Sequence, residues 1–186
     1  MHRILPWLVT LCAGCASLPD TAPRQLLDQS NGSTLIVVRK PMVFSRPRTD
    51  LAANVRDYAT LVAFQEDRAG QYTTWMVVHR WSTVDPRMTS AGESAQGRVL
   101  LAADGRILAF DPQSAAALLH RGELLFAPTS AAASFAYSLD LPTLRYLADS
   151  DELSLRFADD PLPAAYLLWE DGRTELRAML AGARDK

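Results

Sequence analysis

Cysteine is nearly missing from these 186 residues: there are two, Cys12 and Cys15, both close to the start of the chain. Beyond residue 15 there is no material for a cysteine nucleophile, a zinc–thiolate site, an iron–sulfur cluster or a disulfide. The C-x-x-C spacing of Cys12 and Cys15 matches a redox motif only formally, because it lies in an apolar leader. Lysine is almost as scarce. Of 19 basic residues only Lys40 and Lys186 are lysine, which leaves 17 arginines and makes Lys40 the one candidate for lysine-dependent chemistry. Formal net charge is -2, so neither sign is in the excess that a nucleic-acid partner calls for. The nine glycines form neither G-x-G-x-x-G nor G-x-x-x-x-G-K-[ST], and G-x-S-x-G, S-x-x-K and H-E-x-x-H are absent as well. The His, Asp and Glu spacings suggest no metal site, so no metal and no cofactor is expected. No window holds 18 consecutive apolar residues, so no transmembrane helix is expected.

What is present begins with an address. His2 and Arg3 form a short polar, positive start, and Ile4 to Ala13 is apolar apart from Pro6 and Thr10. Ten helical residues reach about 15 Å, half of a hydrocarbon layer of ~30 Å. The segment reads as a secretory signal over residues 1–14. Its end, Leu11-Cys12-Ala13-Gly14-Cys15, resembles the lipobox of bacterial lipoproteins, in which a Leu and two small residues precede the lipidated cysteine. Ala13 and Gly14 take the small positions and Cys15 the cysteine, while Cys12 stands where Leu is usual. The resemblance implies diacylglyceryl transfer to the Cys15 thiol, cleavage before it, and acylation of the new amine. Two or three acyl chains, at ~0.8 kcal/mol per buried CH₂, anchor stably where one does not. Ala16 after the cysteine implies the outer membrane on its periplasmic side, with surface export as the other destination. The competing reading is an ordinary secreted protein cleaved near Ala13 or Ala16.

Residues 15–33 then read as a lipidated cysteine and a tether rich in Pro, Ser, Asp, Asn and Gly, with at most a helical turn at Gln25 to Leu27. Fully extended, such a tether reaches roughly 60 Å. A single domain is expected over 34–186. Leu35 to Val38 suits a buried strand, and Met42 to Phe44 an edge segment after Pro41. Ser45 to Asn54 reads as loop. Tyr58 to Thr83 reads as a long hairpin turning at Asp67-Arg68-Ala69-Gly70, and a second hairpin turns at Asp104-Gly105. Asp85 to Gly97 is a long polar loop. Helices are expected after Asp111-Pro112, at Pro142 and after Asp171, with short strands at Leu124 to Phe126, Phe135 to Leu139, Leu153 to Phe157 and Ala164 to Trp169. The fold class is α+β, mainly antiparallel β, as a curved sheet or a two-layer sandwich with about three short helices.

The chemistry-bearing candidates are few. Period-2 alternation puts Trp75, Val77, His79 and Trp81 on one side of a strand and Thr74, Met76, Val78 and Arg80 on the other. His79 between tryptophans is either a general base in an aromatic-lined groove or a packed strand histidine. Trp75 and Trp81, with Arg80 on the opposite face, are either a surface for a sugar or protein partner or part of the core. His120 before Arg121-Gly122 suits the end of a helix. The basic stretch Arg39-Lys40, Arg46, Arg48 faces anionic headgroups or is a solvated loop. The carboxylate groups Asp149-Asp151-Glu152, Asp159-Asp160 and Glu170-Asp171 sit where acids cap and turn the chain. No catalytic set is assigned. The sequence favours a non-catalytic binding or envelope-assembly module held to the membrane by lipid, with an unknown envelope protein or glycan as partner. A periplasmic hydrolase or enzyme inhibitor using the groove near His79 is the alternative.

Overall fold

The computed structural model describes residues 21–84, 97–114, 124–128, 133–160, 162 and 164–184. The leader, Cys15, His120 and most of the 85–97 loop lie outside them. Ten strands form one antiparallel sheet: β1 (Arg24–Asp28), β2 (Ser33–Val37), β3 (Met42–Pro47), β4 (Arg56–Arg68), β5 (Gln71–Ser82), β6 (Val99–Ala103), β7 (Arg106–Phe110), β8 (Ala133–Ser138), β9 (Leu153–Phe157) and β10 (Tyr166–Glu170). Two helices follow the same numbering, α1 (Leu141–Asp149) and α2 (Arg173–Gly182).

The hairpin turns are where the sequence puts them. Ala69 and Gly70 both have positive φ between the paired Arg68 and Gln71, and Asp104 and Gly105 do the same between Ala103 and Arg106. Two left-handed residues in a two-residue loop match the right-handed twist of the strands on either side. The Asp67 carboxylate accepts from the Gly70 N–H at 2.8 Å, which braces the first turn.

The sheet curls into a ring. β8 pairs β5, β5 pairs β4, β4 pairs β3, and the path continues through β10, β9, β6 and β7. Three residues past β7, Gln113 makes an isolated antiparallel bridge to Ala136 of β8 and closes the circuit. A ring of about eight strands has an interior that side chains alone can fill. Here the filling comes from Phe44, Leu61, Met76, Val78, Val99, Leu101, Tyr137, Leu155 and Tyr166, all buried. The closure has its own lock. The Tyr137 hydroxyl donates to the Gly97 carbonyl at 2.5 Å, and a Cβ on Gly97, whose φ is +63°, would stand 2.2 Å from the Phe135 ring. The thirteen residues of β4 carry two partners end to end on one edge: β3 along 56–61 and β2 along 64–67. β2 and β1 therefore branch off the ring as a two-strand lip.

One end of the ring is covered by the helices. Asp140 caps α1 by accepting the Thr143 N–H at 2.8 Å, and Pro142 follows in the first turn. Leu141, Leu144 and Leu147 of α1 and Leu176, Met179 and Leu180 of α2 are buried over this end. Asp171, read as the cap of α2, stands one residue before it: Gly172 takes the cap position, and the Asp171 carboxylate accepts the Arg173 N–H.

Several expectations are corrected. Two helices, rather than about three, lie among the described residues. Pro112 is not helical, Gln113 is spent on the bridge to β8, and residues 115–121 of that expected helix lie outside the described residues. A single sheet replaces the sandwich alternative. The tether expected through residue 33 gives way to pairing ten residues earlier: Gln25 to Leu27 is strand, in register with Leu35 and its neighbours. Met42 to Phe44 is no edge, because β3 is paired on both sides. Pro41 precedes the strand and Pro47 ends it, so no ladder donor is lost inside it. Leu124 to Phe126 is a turn rather than a strand.

Candidate interaction surface

The β4–β5 hairpin is the backbone of both candidate sites, and its alternation separates the four predicted residues. Trp75, His79 and Trp81 lie on the outer side of the ring, and Arg80 lies on the inner side, as the period-2 reading requires.

His79 is 2 % exposed and has no open nitrogen. Its Nε2 is 2.9 Å from the Leu125 carbonyl, which can only accept, so Nε2 carries the proton. Nδ1 then accepts from the Ser134 hydroxyl at 2.8 Å. Burial lowers its pKa below the usual histidine value, with the Leu125 contact opposing, which favours the neutral ring. His79 pins the 124–126 turn against the sheet. A general base needs a nitrogen facing a substrate, and this ring has both engaged.

Trp75 is half-buried, and its indole N–H meets no acceptor among the described residues. Trp81 is also half-buried. It stacks on Tyr58 with ring centres 4.5 Å apart, and its N–H donates to Thr60.

Arg80 belongs to a buried ion cluster at the end of the ring away from the helices. Arg46 donates to Asp57 at 3.0 Å and pairs with Asp160 at 2.7 Å, and Arg80 reaches the same Asp160 oxygen at 3.0 Å. Arg48 bridges Asp57 and the more exposed Asp50. The guanidinium carbons of Arg46 and Arg80 lie 4.4 and 4.9 Å from the ring centres of Tyr166 and Phe157. Burial opposes the charge on Arg46, but Tyr166, Asp160 and Asp57 outweigh it and hold its pKa above the ordinary arginine value. Hydrogen bonding to Asp50 does the same for Arg48. The headgroup and solvated-loop readings of Arg46 and Arg48 are both overturned: their side chains are 2 % and 8 % exposed. Asp160 likewise does more than turn the chain. Arg46 lies directly across the ladder from Asp57, a pairing hidden by the reading of Ser45 to Asn54 as loop, since Ser45 to Pro47 belong to β3. The pairing of Asp160 with β3 and β5 needs the whole circuit of the sheet and has no local trace.

The more informative outer feature is a row that the sequence did not suggest. Trp81 pairs with Tyr58, Tyr58 with Ser45, Ser45 with Leu167, Leu167 with Ser154, Ser154 with Ala102 and Ala102 with Ile107. All seven positions share one transverse row on the outer face. Leu167 and Ile107 are 62 % and 67 % exposed, and the neighbouring Trp169 is 55 % exposed with Arg56 over its ring at 4.6 Å. Between Leu167 and the β6–β7 turn the small side chains of Ser154 and Ala102 form the floor of a groove of about 490 Å³, rimmed by Asp104, Asp151 and Glu152. The Asp104 carboxylate also accepts the N–H groups of Asp151 and Glu152, which fixes that rim. Trp81 alone among the predicted residues belongs to this row.

Among the described residues no group of three or more His, Cys, Asp or Glu side chains is placed to hold a metal, and no helix is long and apolar enough to cross a membrane. Comparison with protein-family models, with curated proteins and with solved structures finds no match for this chain.

Proposed function

We propose that this chain is an outer-membrane lipoprotein, anchored through Cys15, whose domain stands in the periplasm and binds an envelope protein through the outer face of its sheet. The anchor rests on the resemblance of Leu11-Cys12-Ala13-Gly14-Cys15 to a lipobox. The observation that carries the binding role is the transverse row from Trp81 to Ile107. It crosses seven strands on a face that no helix covers among the described residues, with the large exposed side chains of Leu167 and Ile107 in it and Trp169 beside it. Aliphatic anchors beside a groove with an acidic rim fit a protein surface carrying apolar and basic side chains. They offer a sugar ring little to stack on besides Trp169. The hydrolase reading loses support, because it rested on His79 as a base and both ring nitrogens are engaged.

Two measurements test this. A mass spectrum of the mature N-terminus from fractionated cells should show a triacylated Cys15 in the outer-membrane fraction, and Cys15→Ser should leave an unlipidated precursor. A bare N-terminus beyond residue 15 would overturn the anchor. A photo-crosslinking residue at position 167 or 107 should yield the same discrete adduct in cells, and one at the exposed Arg39 should not. Identical patterns at all three positions would overturn the binding face.

A further inference from the structure

A second groove, of about 520 Å³, lies apart from the outer row, beside the helix-covered end of the ring. Its volume falls within the ~300–1,000 Å³ typical of small-molecule sites. Tyr72, Thr73, Thr74, Ser138, Leu139, Asp140, Leu141 and Arg184 line it, and they bring opposite charges to one space.

Both charged groups are fixed by features the fold maintains. Arg184 follows α2, and its backbone is gripped by the buried Gln65: the Gln65 amide donates to the Arg184 carbonyl at 2.8 Å and accepts the Arg184 N–H at 3.2 Å. Gln65 also donates to Thr74 on the groove wall. With its backbone held, the Arg184 guanidinium donates one hydrogen bond to the Tyr72 hydroxyl at 3.1 Å and lies 5.8 Å from the ring centre. A guanidinium has five N–H donors, so this contact leaves donors for an anion. On the other wall, capping α1 holds the Asp140 carboxyl below its ordinary range, so it is charged at neutral pH. Leu139 and Leu141 add apolar wall, and Thr73, Thr74 and Ser138 add hydroxyls.

We infer that this groove binds a small zwitterion, an amino acid or short peptide with free termini, its carboxylate facing Arg184 and its ammonium facing Asp140. A simple anion would meet repulsion from Asp140 and a simple cation would meet it from Arg184. A ligand carrying both charges satisfies both walls. The inference stands independently of the lipid anchor and of the outer binding face.

The test is titration calorimetry of the mature protein in detergent with L-alanyl-L-alanine, its N-acetyl derivative and its C-terminal amide. The free dipeptide should bind with a Kd below about 1 mM. Blocking either terminus should weaken binding by about tenfold or more, the loss of one charge-assisted hydrogen bond. Arg184→Gln should reduce affinity for the free dipeptide to that of the amide. Asp140→Asn, which keeps a good helix cap, should reduce it to that of the N-acetyl form. Neither variant touches the Gln65 grip on the Arg184 backbone, and unchanged melting temperatures would confirm that both remain folded. No binding of the dipeptide, equal binding of all three ligands, or wild-type affinity in both variants would each overturn the inference.

Discussion

At one end of the ring, Leu61 and Met42 lie beneath Leu176 and the rest of the two-helix layer. At the other, Arg46, which also pairs with Asp57, and Arg80 meet Asp160 beside two aromatic rings. A single strand carries both solutions. The inward residues of β4 run Asp57, Ala59, Leu61, Ala63, Gln65, so its interior passes from charged through apolar to amide within nine residues. The apolar end gains from removing surface from water, and neighbours can partly relax into a loss. The ionic end has no such tolerance, because each charge there is held only by its partners. The two ends can therefore have similar strength and fail for different reasons.

The largest expected effect lies at the ionic end. Asp57→Ala leaves the buried Arg46 paired to Asp160 and Arg48 to Asp50, one positive charge in excess, and should cost about 3–5 kcal/mol in urea unfolding. A loss under about 1 kcal/mol would mean that the arginines reach water and that the ends do not differ. At the helical end, Leu144→Ala should cost about 3 kcal/mol, while Leu144→Met, which conserves volume, should cost under about 1.5 kcal/mol. A third effect separates both ends from the outer face. His79 has a folded pKa below its unfolded value, so its contribution is complete above about pH 6.5 and is lost as pH falls toward the folded pKa, where the unfolded chain takes up the proton first. Stability should fall by up to about 1.4 kcal/mol per pH unit below pH 6.5, and His79→Gln should remove that slope. The smallest effect is a gain. Ala69 sits at φ 54°, and Ala69→Asn should stabilise by roughly 0.5 kcal/mol at a hairpin tip remote from the ion cluster. Added to Asp57→Ala, it should leave the cost of that change unaltered.

Local features of the fold were readable from residues alone. Asp104-Gly105 and Ala69-Gly70 announced their turns, Pro142 its helix, and the β5 alternation divided His79 from Arg80 as the ladder does. What stayed hidden needs pairing between distant parts of the chain. Nothing near Arg46 indicates Asp160, and nothing near Leu167 indicates Ile107, because each juxtaposition exists only once the circuit is complete. Tyr166 to Trp169 is apolar on both faces, which reads as a fully buried strand. Leu167 and Trp169 are nevertheless exposed. The same composition serves a strand buried on both faces and one whose apolar side chains face out. Of the residues singled out in the sequence, Trp81 shares the outer row, while Trp75, His79 and Arg80 do not.

The seat of β10 between β3 and β9 also has a consequence in time. Residues 166–170 supply the strand that joins Ser45 to Ser154, and they come after every other described strand in chain order. Until they dock the ring is an open strip, and Asp160 is not held against Arg46 and Arg80. Contacts of such long sequence separation make folding slow, on the order of milliseconds to seconds. Until that docking the edges of β3 and β9 are unpaired, and each is a template on which a strand of another chain could add.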